Sequence, residues 1–280
     1  MYSVEQINAL AIQAGDKIME IYNRDFEIEN KADNSPLTEA DIASHHCIVD
    51  GLNSLTPAIP VLSEESSVAD LNGRSRWSKC WLIDPLDGTK EFIKKNREFT
   101  VNLALIEDGI ATLGVVYAPA LGVLYYADQQ GAFKVENDVT IKIQVKSVPV
   151  NNEIWSVVNS RSHQSAEFLD FVKNIEKHHT MTMTMTMTMT MTMTMTMTMT
   201  MTMGSSLKIC LVAEGRADLY PRLGLTSEWD TAAAHAIVTA AGGLLVQYHD
   251  LSPLIDNTNA DTLLNPFFIV CAEISDAWAI

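Results

Sequence analysis

The chain is short of positive charge. Its 280 residues include 19 lysines and arginines against 35 aspartates and glutamates, a formal net charge of −16. So acidic a balance excludes a general binder of nucleic acid or anionic membrane, although a small anionic ligand can be held where cations or a local basic cluster neutralise the site. Cysteine is also sparse. Cys47, Cys80, Cys210 and Cys271 have neither metal-ligand spacing nor the look of a disulfide framework, which points to a reducing, cytoplasmic setting. No signal-peptide core is visible, because Glu5 and Asp16 interrupt the N-terminal region. No stretch approaches the roughly 18 apolar residues of a membrane span. Methionine is nearly missing outside one tract, with only Met1 and Met19.

Hydrophobic residues make up 47% of the chain and charged residues 19%, enough for one large domain or two smaller ones. Val4, Ile7, Leu10, Ala11, Ala14, Ile18 and Ile21 recur at helical spacing behind a Ser3/Gln6 capping box, so 4–22 is a helix. "KADNSPLTEAD" (31–41) reads as a polar loop, with Thr38 capping a second helix over about 39–55. "AIPVLSEE" (58–65) and residues 80–84 read as buried strands, and "FTVNLALIEDG", "ATLGVVYAPALGVLYYAD" and "IKIQVK" (141–146) as antiparallel ones. The texture changes near "VPVNNE". This predicts an N-terminal α+β domain over 1–148 and a C-terminal α/β domain over 149–280. The second half holds a strand, "IWSVVNS", then a helix over about 165–177 and another running from "GSS" to near Gly215. After "ADLYPR" comes an alanine-rich helix stopped by Gly242 and Gly243, and "PFFIVCA" is the last strand.

Residues 180–203 are twelve Thr-Met pairs. Alternation with threonine suits a strand, but 24 extended residues would span roughly 80 Å. A slip of two residues also leaves every side chain on an equivalent face. The expectation is that the last pair or two form the strand entering Gly204 and the rest protrude. A methionine-rich Cu(I) site is the sharper alternative.

Acids close the strands or open the helices. Glu64 and Glu65 end one strand; Asp84 ends the next, with Asp87 three residues on; Asp230 directly precedes a helix; Asp41 lies on the polar face of the second helix. Gathered together, such carboxylates repel unless protonated or bridged by a cation, and all-oxygen ligands select a hard ion, Mg²⁺ over zinc. Within "DPLDGT" (84–89), Pro85 stiffens the turn, Gly88 allows an unusual φ and close backbone approach, and the Leu86 carbonyl can face the ion. Taken alone, Asp84 reads equally well as a helix cap. Thr89 starts a helix and Gly204-Ser205-Ser206 another, and helix N-termini with hydroxyls receive phosphate. Lys208 and Arg222 add positive charge. Ser205 as a plain N-cap is the rival reading. His45, four residues after Asp41, is a metal partner or a structural histidine; His163 in "NSRSH" is a ligand-contact candidate.

The series Asp41, "EE" at 64–65, "DPLDGT" at 84–89, "WD" at 229–230 and "GG" at 242–243 resembles the lithium-sensitive, magnesium-dependent phosphatase superfamily that includes inositol monophosphatase. "KADNSPLTEAD", "GTKEFIKKNREFTVNLALIEDG", "SRSH" and "GSSLKICLVAEG…LYPR" resemble its 3′(2′),5′-bisphosphate nucleotidase branch; the Thr-Met tract is the departure. The resemblance implies an α+β fold, a layered αβαβα sandwich, with two or three Mg²⁺ ions between its halves. It implies ligands at Glu64, Asp84, the Leu86 carbonyl, Asp87 and Asp230, and Asp41 with Thr89 acting on the nucleophilic water. It also implies that Lys208 and Arg222 hold the uncleaved phosphate, that His163, Ser205 and Ser206 lie along the nucleotide, and that Gly88 lies at the substrate.

The implied reaction removes the 3′-phosphate of adenosine 3′,5′-bisphosphate, giving AMP and phosphate, with the sulfated parent nucleotide as a further substrate and a role in sulfur assimilation. The implied protein is a monomer or homodimer without a membrane segment, in a family whose members associate with the inner face of a membrane. An inositol monophosphatase or sugar bisphosphatase is the near alternative, and a non-catalytic metal-responsive regulator the distant one. Asp41 and Thr89, needed only to activate water, argue against the latter.

Overall fold

The structure, a computed structural model, describes residues 2–30, 36–66, 73–149, 154–160, 166–178, 198–257, 262–276 and 278. The chain opens with α1 (Val4–Tyr22), β1 (Ile28–Asn30), β2 (Pro36–Thr38) and α2 (Glu39–Leu55), followed by β3 (Val61–Ser63), β4 (Lys79–Asp87) and α3 (Thr89–Ile93). Five antiparallel strands follow: β5 (Thr100–Glu107), β6 (Ile110–Ala118), β7 (Val123–Asp128), β8 (Gly131–Glu136) and β9 (Val139–Ile143). The remainder comprises β10 (Trp155–Ser160), α4 (Ala166–His178), β11 (Thr198–Met203), α5 (Leu207–Ala213), β12 (Leu219–Arg222), α6 (Glu228–Ala240), β13 (Leu244–Gln247) and β14 (Phe268–Cys271).

Both early helices start where the sequence provides a reciprocal cap. The Ser3 N–H donates to Gln6 Oε1 at 2.9 Å, and the Thr38 hydroxyl accepts the Ala40 N–H at 3.2 Å, so helix-end donors do not go unmet. α1 and α2 lie on one face of a seven-stranded sheet ordered β3-β4-β5-β6-β7-β8-β9. Alternation along β4 divides the core. Trp81 and Ile83 join Ile7, Ile18 and Ile48 beneath α1 and α2, whereas Cys80 and Leu82 join Leu211 and Ile237 of α5 and α6 on the other face. That inner helical layer is shared with a five-stranded sheet, β11-β10-β12-β14-β13. On the far side of the second sheet, Phe168, Phe171 and Ile175 of α4 pack with Trp155, Leu219 and Ile269. The layers run helix, sheet, helix, sheet, helix, as expected. α6 sits very close to β6: a Cβ on Gly114 would come within 2.1 Å of the Ala233 carbonyl oxygen, so no side chain fits there. Among the described residues no helix is long and apolar enough to cross a membrane.

Several expectations are corrected. Of the loop foreseen over 31–41, residues 36–38 form β2, paired antiparallel with β1, and 39–41 are the first turn of α2; residues 31–35 lie outside the described ones. β4 runs to Asp87 rather than stopping at Asp84, and β9 ends at Ile143. α6 begins at Glu228, so Asp230 lies in its first turn rather than before it. The Thr-Met tract contributes three pairs, β11, laid parallel on β10; the rest of it, like His163, lies outside the described residues.

Candidate metal and phosphate site

In a regular strand, residues three apart face opposite sides. Asp84 and Asp87 do not. Asp84 pairs with Asn102 and Asp87 with Thr100, so β4 advances three residues while β5 advances two. The extra residue is a β-bulge, and it brings both carboxylates to one side. Proline fits here, where the ladder is already broken. The Pro85 carbonyl accepts the Ser44 hydroxyl of α2 at 2.7 Å, and the Leu86 N–H donates to Asp84 Oδ1 at 3.0 Å. Asp84 is thus held within its own bulge rather than capping α3. Gly88 follows at φ +90 with a new Cβ only 3.2 Å from the Glu98 carbonyl, which glycine alone accommodates without strain.

Asp230 arrives from the other half. The Ser227 N–H donates to its Oδ2 at 2.8 Å, closing a capping box that aims the first turn of α6 at the bulge. Carboxylate oxygens of Asp84, Asp87 and Asp230 lie within 4.8 Å of one another. Burial pushes the Asp84 carboxyl well above the usual range, and the charges of Glu64, Asp87 and Asp230 add to it. Asp230 is pushed up to about 8, by burial first and by Asp87 next. Glu64, just beyond β3, has its N–H on the Ile83 carbonyl at 3.2 Å, and its carboxylate lies against Asp84. Such crowding, with no ion pair to Asp84, Asp87 or Asp230 among the described residues although Lys208 and Arg222 share the cleft, fits a hard divalent cation, which relieves the repulsion.

The Thr38 N–H and hydroxyl donate to Asp41 Oδ2 at 2.8 and 2.7 Å. Its other oxygen, Oδ1, accepts the Thr89 hydroxyl at 3.3 Å. Asp41, on the polar face of α2, is therefore buried, 2% exposed. Thr89 also reaches the Leu86 carbonyl at 3.3 Å. His45, one turn on, has Nδ1 2.9 Å from the Ser63 hydroxyl.

A cleft of about 270 Å³ is lined by Glu64, Asp84, Asp87, Thr89 and Asp230, and also by Lys208, Arg222 and Ser205. Lys208 is buried; its ammonium donates to the Ser205 carbonyl at 2.6 Å and lies 5.7 Å from the Tyr220 ring centre. Burial lowers it to about 8, against the pull of Asp87 and with a push from Arg222. Arg222 donates to the Leu225 carbonyl at 2.7 Å. Ser205 is held at φ +46 with its hydroxyl buried and without a hydrogen-bond partner among the described residues. Ser206 is engaged instead by Asp87, whose Oδ2 accepts its N–H and its hydroxyl, both at 2.6 Å. Sequence reasoning missed Thr100, Asn102 and Ser44. The available signal was polar residues inside the apolar run "TVNLALI" and a serine on a buried helix face.

A family model described as "Inositol monophosphatase family" matches residues 2–268. A Salmonella typhimurium protein named 3′(2′),5′-bisphosphate nucleotidase CysQ is 47% identical over 95% of this chain and 98% of its own length. The Haemophilus influenzae protein of the same name is 32% identical, covering 98% of this chain and 94% of its own. Among solved structures, CysQ from Bacteroides thetaiotaomicron superposes with a TM-score of 0.76 at 38% identity over 95% of both chains. An inositol monophosphatase from Thermotoga maritima gives 0.69 at 26% identity over 94% of this chain and 89% of its own.

Proposed function

The chain belongs to the inositol monophosphatase family, and we propose that it is a magnesium-dependent 3′(2′),5′-bisphosphate nucleotidase. Its substrate is adenosine 3′,5′-bisphosphate, which it converts to AMP and phosphate, and the sulfated parent nucleotide is a second substrate. The observation that carries this reading is the meeting, in one cleft, of the three-aspartate cluster with Thr89, whose hydroxyl is bound from behind by the buried Asp41. The names borne by the bisphosphate nucleotidases among its relatives support the choice of substrate.

We assign Glu64, Asp84, the Leu86 carbonyl, Asp87 and Asp230 to two Mg²⁺ ions. When bound, these supply Lewis-acid polarisation of phosphate oxygens and a lowered pKa for the attacking water. The chain's own part is to orient and to move protons. Thr38 fixes one oxygen of Asp41 and leaves the other on Thr89, so a proton taken up at Thr89 Oγ1 passes to Asp41. Lys208 and Arg222, which line the same cleft, are assigned to the phosphate that stays, and Gly88 lets backbone close on the one that leaves. The division of labour follows the two halves, 1–148 for most ligands and 149–280 for Asp230 and the basic groups.

Phosphate release from adenosine 3′,5′-bisphosphate, an inositol monophosphate and a sugar bisphosphate, with and without Mg²⁺ and with and without Li⁺, tests this. The expected result is Mg²⁺-dependent, Li⁺-inhibited release that is fastest from the nucleotide. A preference for inositol phosphate moves the enzyme to another branch of the family, and absence of any Mg²⁺-dependent release removes the enzymatic reading.

A further inference from the structure

Four donors converge on a single oxygen of Asp87. Oδ2 accepts the Ser206 N–H and hydroxyl at 2.6 Å each, the Asn102 amide at 3.3 Å and the Thr100 hydroxyl at 3.4 Å. A carboxylate oxygen has about two lone-pair directions, so this one is saturated. Asn102 itself is buried completely, and its carbonyl Oδ1 has no hydrogen-bond partner among the described residues. Turning the amide over would not help, because Oδ1 would then face the Asp87 carboxylate. The residue is kept for its NH₂, which reaches both Ser206 Oγ, at 2.7 Å, and Asp87. With Asn102 donating to it, the Ser206 oxygen keeps its single proton for an acceptor. The two acceptors in reach are Asp87 Oδ2 and the main-chain carbonyl of Asp230, at 2.8 Å. One hydroxyl thus touches a strand of the large sheet and the first turn of α6.

We propose that Asn102 and Ser206 are positioning residues that commit Asp87 to coordination through Oδ1 alone and fix its spacing from Asp230. Ser206 then serves the metal ligands rather than the nucleotide. This rests on the magnesium assignment above. An outer shell of this kind orients a carboxylate ligand and tunes its affinity, and here its two members come from opposite halves of the chain. Thr100 completes the shell from the residue paired with Asp87 across the ladder.

Calorimetric titration of Mg²⁺ into substrate-free protein separates the possibilities, with kinetics as the second readout. Asn102→Ala and Ser206→Ala should weaken Mg²⁺ binding about 10- to 100-fold, the range typical of outer-shell loss. Saturating Mg²⁺ should restore kcat while KM for the bisphosphate stays near that of the parent protein. Ser206→Thr, which keeps the hydroxyl, should keep the affinity. Should Asn102→Ala melt early, the serine pair carries the test. Unchanged Mg²⁺ affinity in Ser206→Ala with a raised KM would return Ser206 to the nucleotide and overturn the inference. If the parent protein itself bound no Mg²⁺, the magnesium assignment would fall, and this inference with it.

Discussion

Two strands lead into the cleft from opposite sheets, and they are made in opposite ways. β4 is a varied sequence, KCWLIDPLD, in which no unit repeats. Trp81 and Ile83 fill one core, Cys80 and Leu82 the other, and the last turn of the strand carries Asp84 and Asp87 in a bulge. β11 is Thr-Met three times over, taken from a tract in which any pair would serve as well. Yet both deliver their ends to the same place. β11 enters Gly204, whose N–H donates to Glu98 Oε2 at 2.8 Å, and two residues later Ser206 is held by Asp87. The lesson is that a strand need not encode its own register. β4 is registered by its side chains; β11 is registered by the anchor at its C-terminal end, and its methionines only have to keep the inward parity that lets Met201 and Met203 pack on the core.

The sharpest way to test the first half of that contrast is at Asp84. Asp84→Asn should cut turnover to below about one per cent, the scale of loss on removing a preorganised charge-stabilising group. Retention of more than about a tenth of the activity would refute its role. The same change should raise the melting temperature of the metal-free protein, because it removes a buried carboxylate from a repulsive cluster.

The second half is tested by deletion. Removing Thr202 and Met203 together re-creates the same strand from the preceding pair, so stability and activity should hold. Removing Met203 alone turns threonines inward and methionines outward. That should cost about 1–3 kcal/mol in chemical denaturation, the scale of one apolar side chain leaving the core. Equal effects from the two deletions would show that the strand does carry its own register.

A smaller effect separates the acidic from the basic groups lining the cleft. Lys208→Ala with Arg222→Ala should raise KM for the bisphosphate about 10- to 100-fold, as befits charge-assisted hydrogen bonds, and by less for a monophosphate. The parent protein should show a milder version with pH. Lys208 titrates at about 8, is charged below that and neutral above it, so KM for the bisphosphate should climb as pH rises past 8. A KM flat from pH 7 to 9 would show that this ammonium does not hold phosphate.

The mildest test concerns stability without metal. Asp84 and Asp230 are raised, Asp230 to about 8. Groups raised in the folded state hold protons that the unfolded chain has released, so stability is lost as pH rises between about 4 and 8. Melting temperature in chelator should therefore fall across that interval, and added Mg²⁺ should flatten the slope.

Much of this was legible before any coordinates. α1 and α2 were readable to their ends because capping boxes mark helix starts and apolar periodicity carries through them. "DPLDGT" after an apolar strand pointed to a crowded acidic site, and the structure does bring Asp84 and Asp87 together with Asp230. What escaped was short or depends on partners distant in sequence. β1, β2 and β13 hold three or four residues each, too few to show a period. Asp41 read only as part of the polar face of α2, because helical position alone does not reveal that Thr38 and Thr89 bond to it. Thr100 and Asn102 read as ordinary strand residues, since their importance lies in facing a bulge on the neighbouring strand. That Ser206 is held by Asp87 was equally hidden, because the two lie 119 residues apart in the chain.

The bulge also changes what mutation can reach. Leu86 sits in it outside the paired register, its side chain in the core and its carbonyl beside Thr89. Every other oxygen assigned to the ions hangs on a side chain and disappears with one codon. This one belongs to the peptide link, so drift at position 86 can spoil the packing yet never erase the donor; only shortening the chain there would.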